Sequence, residues 1–313
     1  MFRSRGKATG GGALRWAALG AVCAGITVPL MRRRLRLPPA VTAAAVAAAP
    51  FGLAIAVPRS RKRDAAIYAL QMWAFIVIHE LPYDDPRALG ERVRVDYPIA
   101  VDRRIGLGVP PTVRLQRLIC RPGCTRGFDP VLVWVHWLWF LQPHSVCAWI
   151  LLRHPQRFTR SALLISSLFH LGAMVYILVP TAPPWWAAEH GRLPECRRLM
   201  VEVGESFWGD LWPPLYDFLG GNPVAAMPSL HFSSSVMAAH VLSEVGWFEG
   251  ALGWAYAGTL GFALVYLGEH YVIDLLAGAA LAETVRNVGP RMAPALSQVV
   301  KTLRALEERA ATG

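Results

Sequence analysis

Long apolar runs separated by short arginine clusters constrain this chain more than any other feature. Such runs occupy residues 16–31, 38–57, 65–81, 130–152, 161–180, 232–245, 251–267 and about 271–288. As helices they cross, or nearly cross, a hydrocarbon core of about 30 Å at about 1.5 Å per residue. Between them stand Arg32-Arg33-Arg34-Leu35-Arg36, Arg59-Ser60-Arg61-Lys62-Arg63 and the loop 153–160 with Arg153, Arg157 and Arg160. This is the pattern of an all-α, polytopic helical membrane protein. Charged residues are only 17% of the 313, below the roughly 25% of soluble domains. The net charge of +11 does not point to nucleic acid, because the basic residues flank apolar spans and build no basic face. Anionic lipid headgroups of the bilayer are the expected partners.

Four regions follow. Residues 1–64 are a basic N-terminal region with two hydrophobic helices; 65–129 hold a third hydrophobic helix and a polar extracytoplasmic or interfacial segment. Residues 130–290 are a membrane core, and 291–313 a basic cytoplasmic tail. The basic, Gly-rich residues 1–15 are expected to be disordered, and 16–31 to be an uncleaved anchor. The arginines of 153–160 and the basic tail place both in the cytoplasm. Three N-terminal runs separated by three basic clusters cannot all fit that rule, so at least one is expected to be re-entrant or interfacial, and the span count is six to eight. The five cysteines have no zinc-ligand spacing. Cys120 and Cys124 either pair in an oxidising compartment or stay free.

The stretch from Asn222 to Gly278 carries the chemistry. Two apolar runs, 232–245 and 251–267, lie between His231 and His270. One helix goes down and the next returns, so both histidines come to one membrane face, extracytoplasmic by parity of spans. Asp274 lies one helical turn from His270 and can fix its tautomer, leaving the other ring nitrogen as nucleophile or base. An intramembrane carboxylate is costly without such a partner. His231 follows Pro228-Ser229, a helix start with Ser229 as cap, and a helix N-terminus is a seat for phosphate. The expected catalytic set is His231, His270 and Asp274. His79, His136, His144, His154, His170 and His240 read as structural, and His190 is left open.

Met227-Pro228-Ser229-Leu230-His231 and His270-Tyr271-Val272-Ile273-Asp274 resemble the second and third signature motifs of the type 2 phosphatidic acid phosphatase (PAP2) superfamily. "Pro-Ser-Leu-His", preceded by Asn222-Pro223 and Ala225-Ala226, is most similar to the inositol phosphorylceramide synthase branch. The first motif corresponds to Val179-Pro180-Thr181-Ala182-Pro183-Pro184-Trp185-Trp186. The resemblance covers 130–290 well and the N-terminal third weakly. It implies a six-helix core with extra N-terminal hydrophobic helices, and a metal-independent, cofactor-free phosphohydrolase or phosphotransferase. The implied substrate is a membrane phospholipid or prenyl phosphate at the extracytoplasmic face of the cell membrane. The acceptor is water or a polyol, with transfer of an inositol-phosphate-type headgroup as one form.

In the implied roles His270 attacks phosphorus, Asp274 orients it, and His231 passes the proton. The expected phosphate-binding residues are Ser229, Pro228, Thr181 and Arg192. Two family cations are missing: Leu264 stands where an arginine usually precedes the nucleophile by six residues, and Trp185 follows Pro184 where the first motif usually has a Lys or Arg. Arg197 and Arg198 join Arg192 as replacements. The missing cations also favour an alternative, a non-catalytic lipid-binding or transport protein on the same scaffold. Trp185 and Trp186 are expected to belt the membrane interface.

Overall fold

A computed structural model of the chain describes residues 9–120, 127–212 and 222–312, with Thr9 and Ala293 described by their backbone alone. Helices build it throughout. Among the described residues the extended pairings are two isolated bridges, Arg94 with Thr181 and Thr181 with Ala225. The proposed Cys120–Cys124 pairing lies outside the described residues, because Cys124 does. The chain forms two compact units, one of residues up to 84, 148–166 and 287 onward, the other of 85–147 and 167–286.

The first unit contains α1 (Thr9–Leu35), α2 (Pro39–Ala56) and α3 (Arg61–Glu80). All three are long and apolar enough to cross a membrane. Helix α1 begins at Thr9, so the expected disorder does not hold for residues 9–15, where the helix of the apolar run extends back through the glycines; residues 1–8 lie outside the described residues. Val46, Ala74 and Val77 form a small packed core, and the Trp73 indole donates to the Gly25 carbonyl at 2.9 Å. Ion pairs account for the awkward basic clusters. Arg32 meets Glu80 and Asp84 at 3.2 and 3.0 Å, and Arg33 meets Asp84 at 2.8 Å, so carboxylates at the end of α3 offset the cluster at the end of α1. At the other end of these helices Arg59 and Arg63 meet Glu307 at 3.0 and 2.5 Å. These pairs offset part of the charge of the two clusters.

The second unit holds the polar segment as α4 (Pro86–Gly90), α5 (Asp96–Ile105) and α6 (Pro111–Ile119), followed by α7 (Asp129–Leu138). Helices α8 (Gln142–Arg153) and α9 (Pro155–Leu178) pass between units. Then come α10 (Pro184–Glu189), α11 (Leu199–Trp208), α12 (Leu230–Ser243), α13 (Trp247–Tyr266) and α14 (Val272–Ala311). The apolar runs expected to form the six-helix core fall in α7, α8, α9, α12, α13 and α14, of which α8, α9 and α14 have residues in both units. The single run expected over 130–152 is broken at Trp139–Leu141 into α7 and α8. Helix α12 has 14 residues, about 21 Å, shorter than a hydrocarbon core. Helix α9 is long and apolar enough to cross.

Three buried clusters fix this unit. One joins α7, α11 and the end of α13 through Leu132, Val133, Leu199 and Tyr266. A second packs α5, α6 and α10 around Tyr271. A third packs Leu260, Leu264 and Leu275 between α13 and α14. The polar segment is therefore built into the wall beside His270 and Tyr271 and is not a loose surface strip.

Candidate active site

The chain enters the site through a pinned turn. Ser229 caps α12: its hydroxyl accepts from the Phe232 amide at 3.2 Å. The Tyr176 hydroxyl, from the end of α9, donates to the Pro228 carbonyl at 2.6 Å and accepts from the Leu230 amide at 3.3 Å. The Ser229 amide donates to the Asp274 carbonyl at 3.0 Å, which ties the two histidine segments together. Gly278 permits this approach, since a Cβ there would stand 2.6 Å from the Ser229 carbonyl oxygen.

His270 arrives from the other side by a helix-ending turn. Gly268 has φ of +84°, the left-handed region that glycine reaches without strain. The Gly268 amide bonds the Val265 carbonyl at 3.3 Å and the Glu269 amide bonds the Leu264 carbonyl at 3.0 Å, which is the Schellman pattern. A Cβ at Gly268 would also meet the Arg197 carbonyl oxygen at 2.5 Å. Two residues after this glycine, His270 is delivered facing α12.

The start of α14 is capped from far away. Asp102 of α5 accepts from the amides of Val272 and Ile273 at 2.9 and 3.0 Å. The Thr112 hydroxyl donates to the His270 carbonyl at 3.4 Å. Burial lifts the Asp102 carboxyl to about 6, against the pull of the two amides. The folded value lies above the ordinary value of about 4. Its contribution to stability is therefore whole below about pH 4 and is lost as pH rises through about 6. Asp102→Asn, neutral throughout, is expected to flatten the curve of melting temperature against pH between those limits, measured in detergent. An unchanged curve would show that another group titrates there.

These constraints bring the three expected catalytic residues into a line. His231 Nδ1 lies 3.2 Å from His270 Nε2, and His270 Nδ1 lies 3.3 Å from Asp274 Oδ2. The same Asp274 oxygen accepts from the Tyr271 amide at 2.9 Å. Asp274 is fully buried and His270 nearly so. The His231 ring lies 4.0 Å from that of Trp139 and 5.0 Å from that of His136.

The expected phosphate-binding residues are placed differently. Thr181 is fully buried. Its hydroxyl is engaged with Tyr97 at 2.8 Å and the Val179 carbonyl at 3.1 Å, and its backbone joins residues 224 and 226. The Pro228 carbonyl accepts from Tyr176, and the Ser229 hydroxyl accepts from the Phe232 amide as the cap of α12. Two first-turn amides of α12, those of Leu230 and Phe232, are already bonded by Tyr176 and Ser229. Arg192 pairs with Asp96 and is half exposed, and Arg197 pairs with Glu202.

Arg198 contacts the residue that precedes His270. Its guanidinium lies 3.4 Å over the Trp185 ring and meets Glu269, the residue before His270, at 3.4 Å. Burial pushes the Glu269 carboxyl up while Arg198 and His270 pull it down. Trp185 is buried beneath Arg198 and its amide donates to the Gly268 carbonyl, so it is no interfacial belt residue. Trp186 stacks on His190, 3.5 Å between ring centres. Leu264, at the position of the missing arginine, is fully buried among apolar side chains. His240 pairs with Glu283 away from the site.

Comparison with known proteins gives a family and two relatives. The family model described as PAP2 superfamily matches residues 99–285. The match begins upstream of residue 130 and takes in most of α5 and all of α6, the helices that carry Asp102 and Thr112. The chain is similar to a phosphoinositol dihydroceramide synthase of Bacteroides thetaiotaomicron, 30% identical over 132 residues, 40% of this chain and 43% of the relative. It is also similar to an inositol phosphorylceramide synthase of Candida albicans, 28% identical over 169 residues, 51% of this chain and 36% of the relative. The matched region is less than half the length of either relative. No solved structure matches the chain significantly.

Proposed function

The chain belongs to the PAP2 superfamily, and from that premise we propose that it is an integral membrane lipid phosphotransferase with a histidine nucleophile. His270 Nε2 attacks the phosphorus of a lipid phosphoester. The bond from phosphorus to the leaving alcohol breaks as protonated His231 gives that oxygen its proton. In the second half-reaction an acceptor hydroxyl returns a proton to His231, its oxygen bonds to phosphorus, and the nitrogen–phosphorus bond breaks. Asp274 accepts the Nδ1 hydrogen of His270, which keeps Nε2 bare and balances the charge of the phosphorylated ring. The line His231–His270–Asp274, with steps of 3.2 and 3.3 Å, is the observation that carries this reading. Arg198, held on Trp185 beside Glu269, supplies the cation that Leu264 does not.

The names of both relatives favour a phosphoinositol headgroup as the group transferred, from a phospholipid donor to an alcohol. A prenyl phosphate donor, or water or a polyol as acceptor, uses the same residues. The reading places the protein in the cell membrane as a multi-pass protein with its site extracytoplasmic. The tail residue Glu307 shares a face with Arg59 and Arg63, as a cytoplasmic tail and a cytoplasmic α2–α3 joint require.

The test is a screen of phospholipids and prenyl phosphates on the purified protein, with and without an alcohol acceptor. Free phosphate and new phosphodiester are both measured. Added acceptor is expected to divert product into the phosphodiester. Neither product from any lipid would leave the non-catalytic scaffold, which Leu264 in place of arginine favours.

A further inference from the structure

We infer that His136 is a substrate-binding residue of this site, which holds the oxygen of the leaving or accepting alcohol beside His231. The inference rests on the phosphotransferase reading above. His136 stands on α7 with its ring 5.0 Å from that of His231, and within electrostatic reach of His270 and Arg198. Its residue is 5% exposed, and both ring nitrogens are buried with no hydrogen-bond partner among the described residues. A neutral imidazole carries one donor and one acceptor, and leaving both unmade under burial is unfavourable. A phenylalanine would fill similar volume among Trp137, Trp139 and their neighbours without that cost. A buried, unspent donor beside the proton-transfer histidine is matched by a hydroxyl or alkoxide oxygen. His136 donates to that oxygen, and His231 remains the group that moves the proton. His136 forms no covalent bond.

A donor to the leaving oxygen matters most when that oxygen is a poor leaving group. The test compares two donors with the same phosphoinositol headgroup, one esterified to diacylglycerol and one to p-nitrophenol. His136→Phe is expected to slow phosphoenzyme formation roughly tenfold with the diacylglycerol ester and less than about twofold with the p-nitrophenyl ester. His136→Gln, which keeps a donor, is expected to recover most of the loss. His136→Leu serves as a second apolar variant if the phenylalanine fails to fold. Equal losses on both esters, or none, would make His136 a packing residue and overturn the inference alone. A wild type inactive on both esters would overturn the phosphoinositol reading and this inference with it.

Discussion

Replacing His270 by alanine is expected to lower turnover roughly ten-thousandfold or more, down to background, while the protein still folds. The loss is large because the ring supplies the protein's own bond to phosphorus in the proposed scheme. The fold should survive because the backbone at 270 is held independently of the ring. The Schellman turn at Gly268, the Thr112 contact and the Asp102 cap all act on main-chain atoms. Asp274 keeps its bond from the Tyr271 amide. Turnover on the lipid found by the screen, with a melting curve in the same detergent, checks both halves. Retained turnover at an unchanged melting temperature would remove His270 from the chemistry.

Replacing Arg198 by alanine is expected to reduce kcat/KM by roughly a hundredfold to a thousandfold, the usual cost of a preorganised charge on a transferring phosphoryl group. Lysine should restore only part, because a point charge neither stacks on Trp185 nor grips two oxygens. Arg192→Ala and Arg197→Ala are expected to stay within about threefold of wild type, since Asp96 and Glu202 hold those side chains at exposed or half-exposed positions. Kinetics of the three alanine variants on one lipid decide the matter. A larger loss at Arg192 than at Arg198 would reverse the assignment.

The parts of this molecule that local spacing controls were legible in the sequence. The i,i+4 relation of His270 and Asp274, the Ser229 cap and the return of two helices all depend on residues near one another in the chain. The glycine before Glu269-His270 is the ordinary signal of a helix end. What was not legible depends on partners far away. Nothing in the pattern of Asp96–Ile105 announces that Asp102 will cap a helix that starts at Val272. Tyr176 looks like one more aromatic in an apolar span until its hydroxyl meets the Pro228–Leu230 turn. His136 sits in a tryptophan-rich run that reads as core, and only the folded chain sets its ring 5.0 Å from that of His231. At Thr181, Pro228 and Ser229 motif polarity does not show how far the turn itself uses these groups: the Thr181 hydroxyl meets Tyr97 and the Val179 carbonyl, the Pro228 carbonyl accepts from Tyr176, and Ser229 caps α12.

A quench experiment tests the nucleophile directly. Protein mixed with a headgroup-labelled donor, stopped in alkali and digested, should carry the label on the peptide containing His270 as an acid-labile, alkali-stable adduct. The adduct should be absent from His270→Ala and should persist longer in His231→Ala, where no ring returns the proton. Label on any other residue, or full turnover with no labelled protein at any time point, would contradict a phosphohistidine at this position.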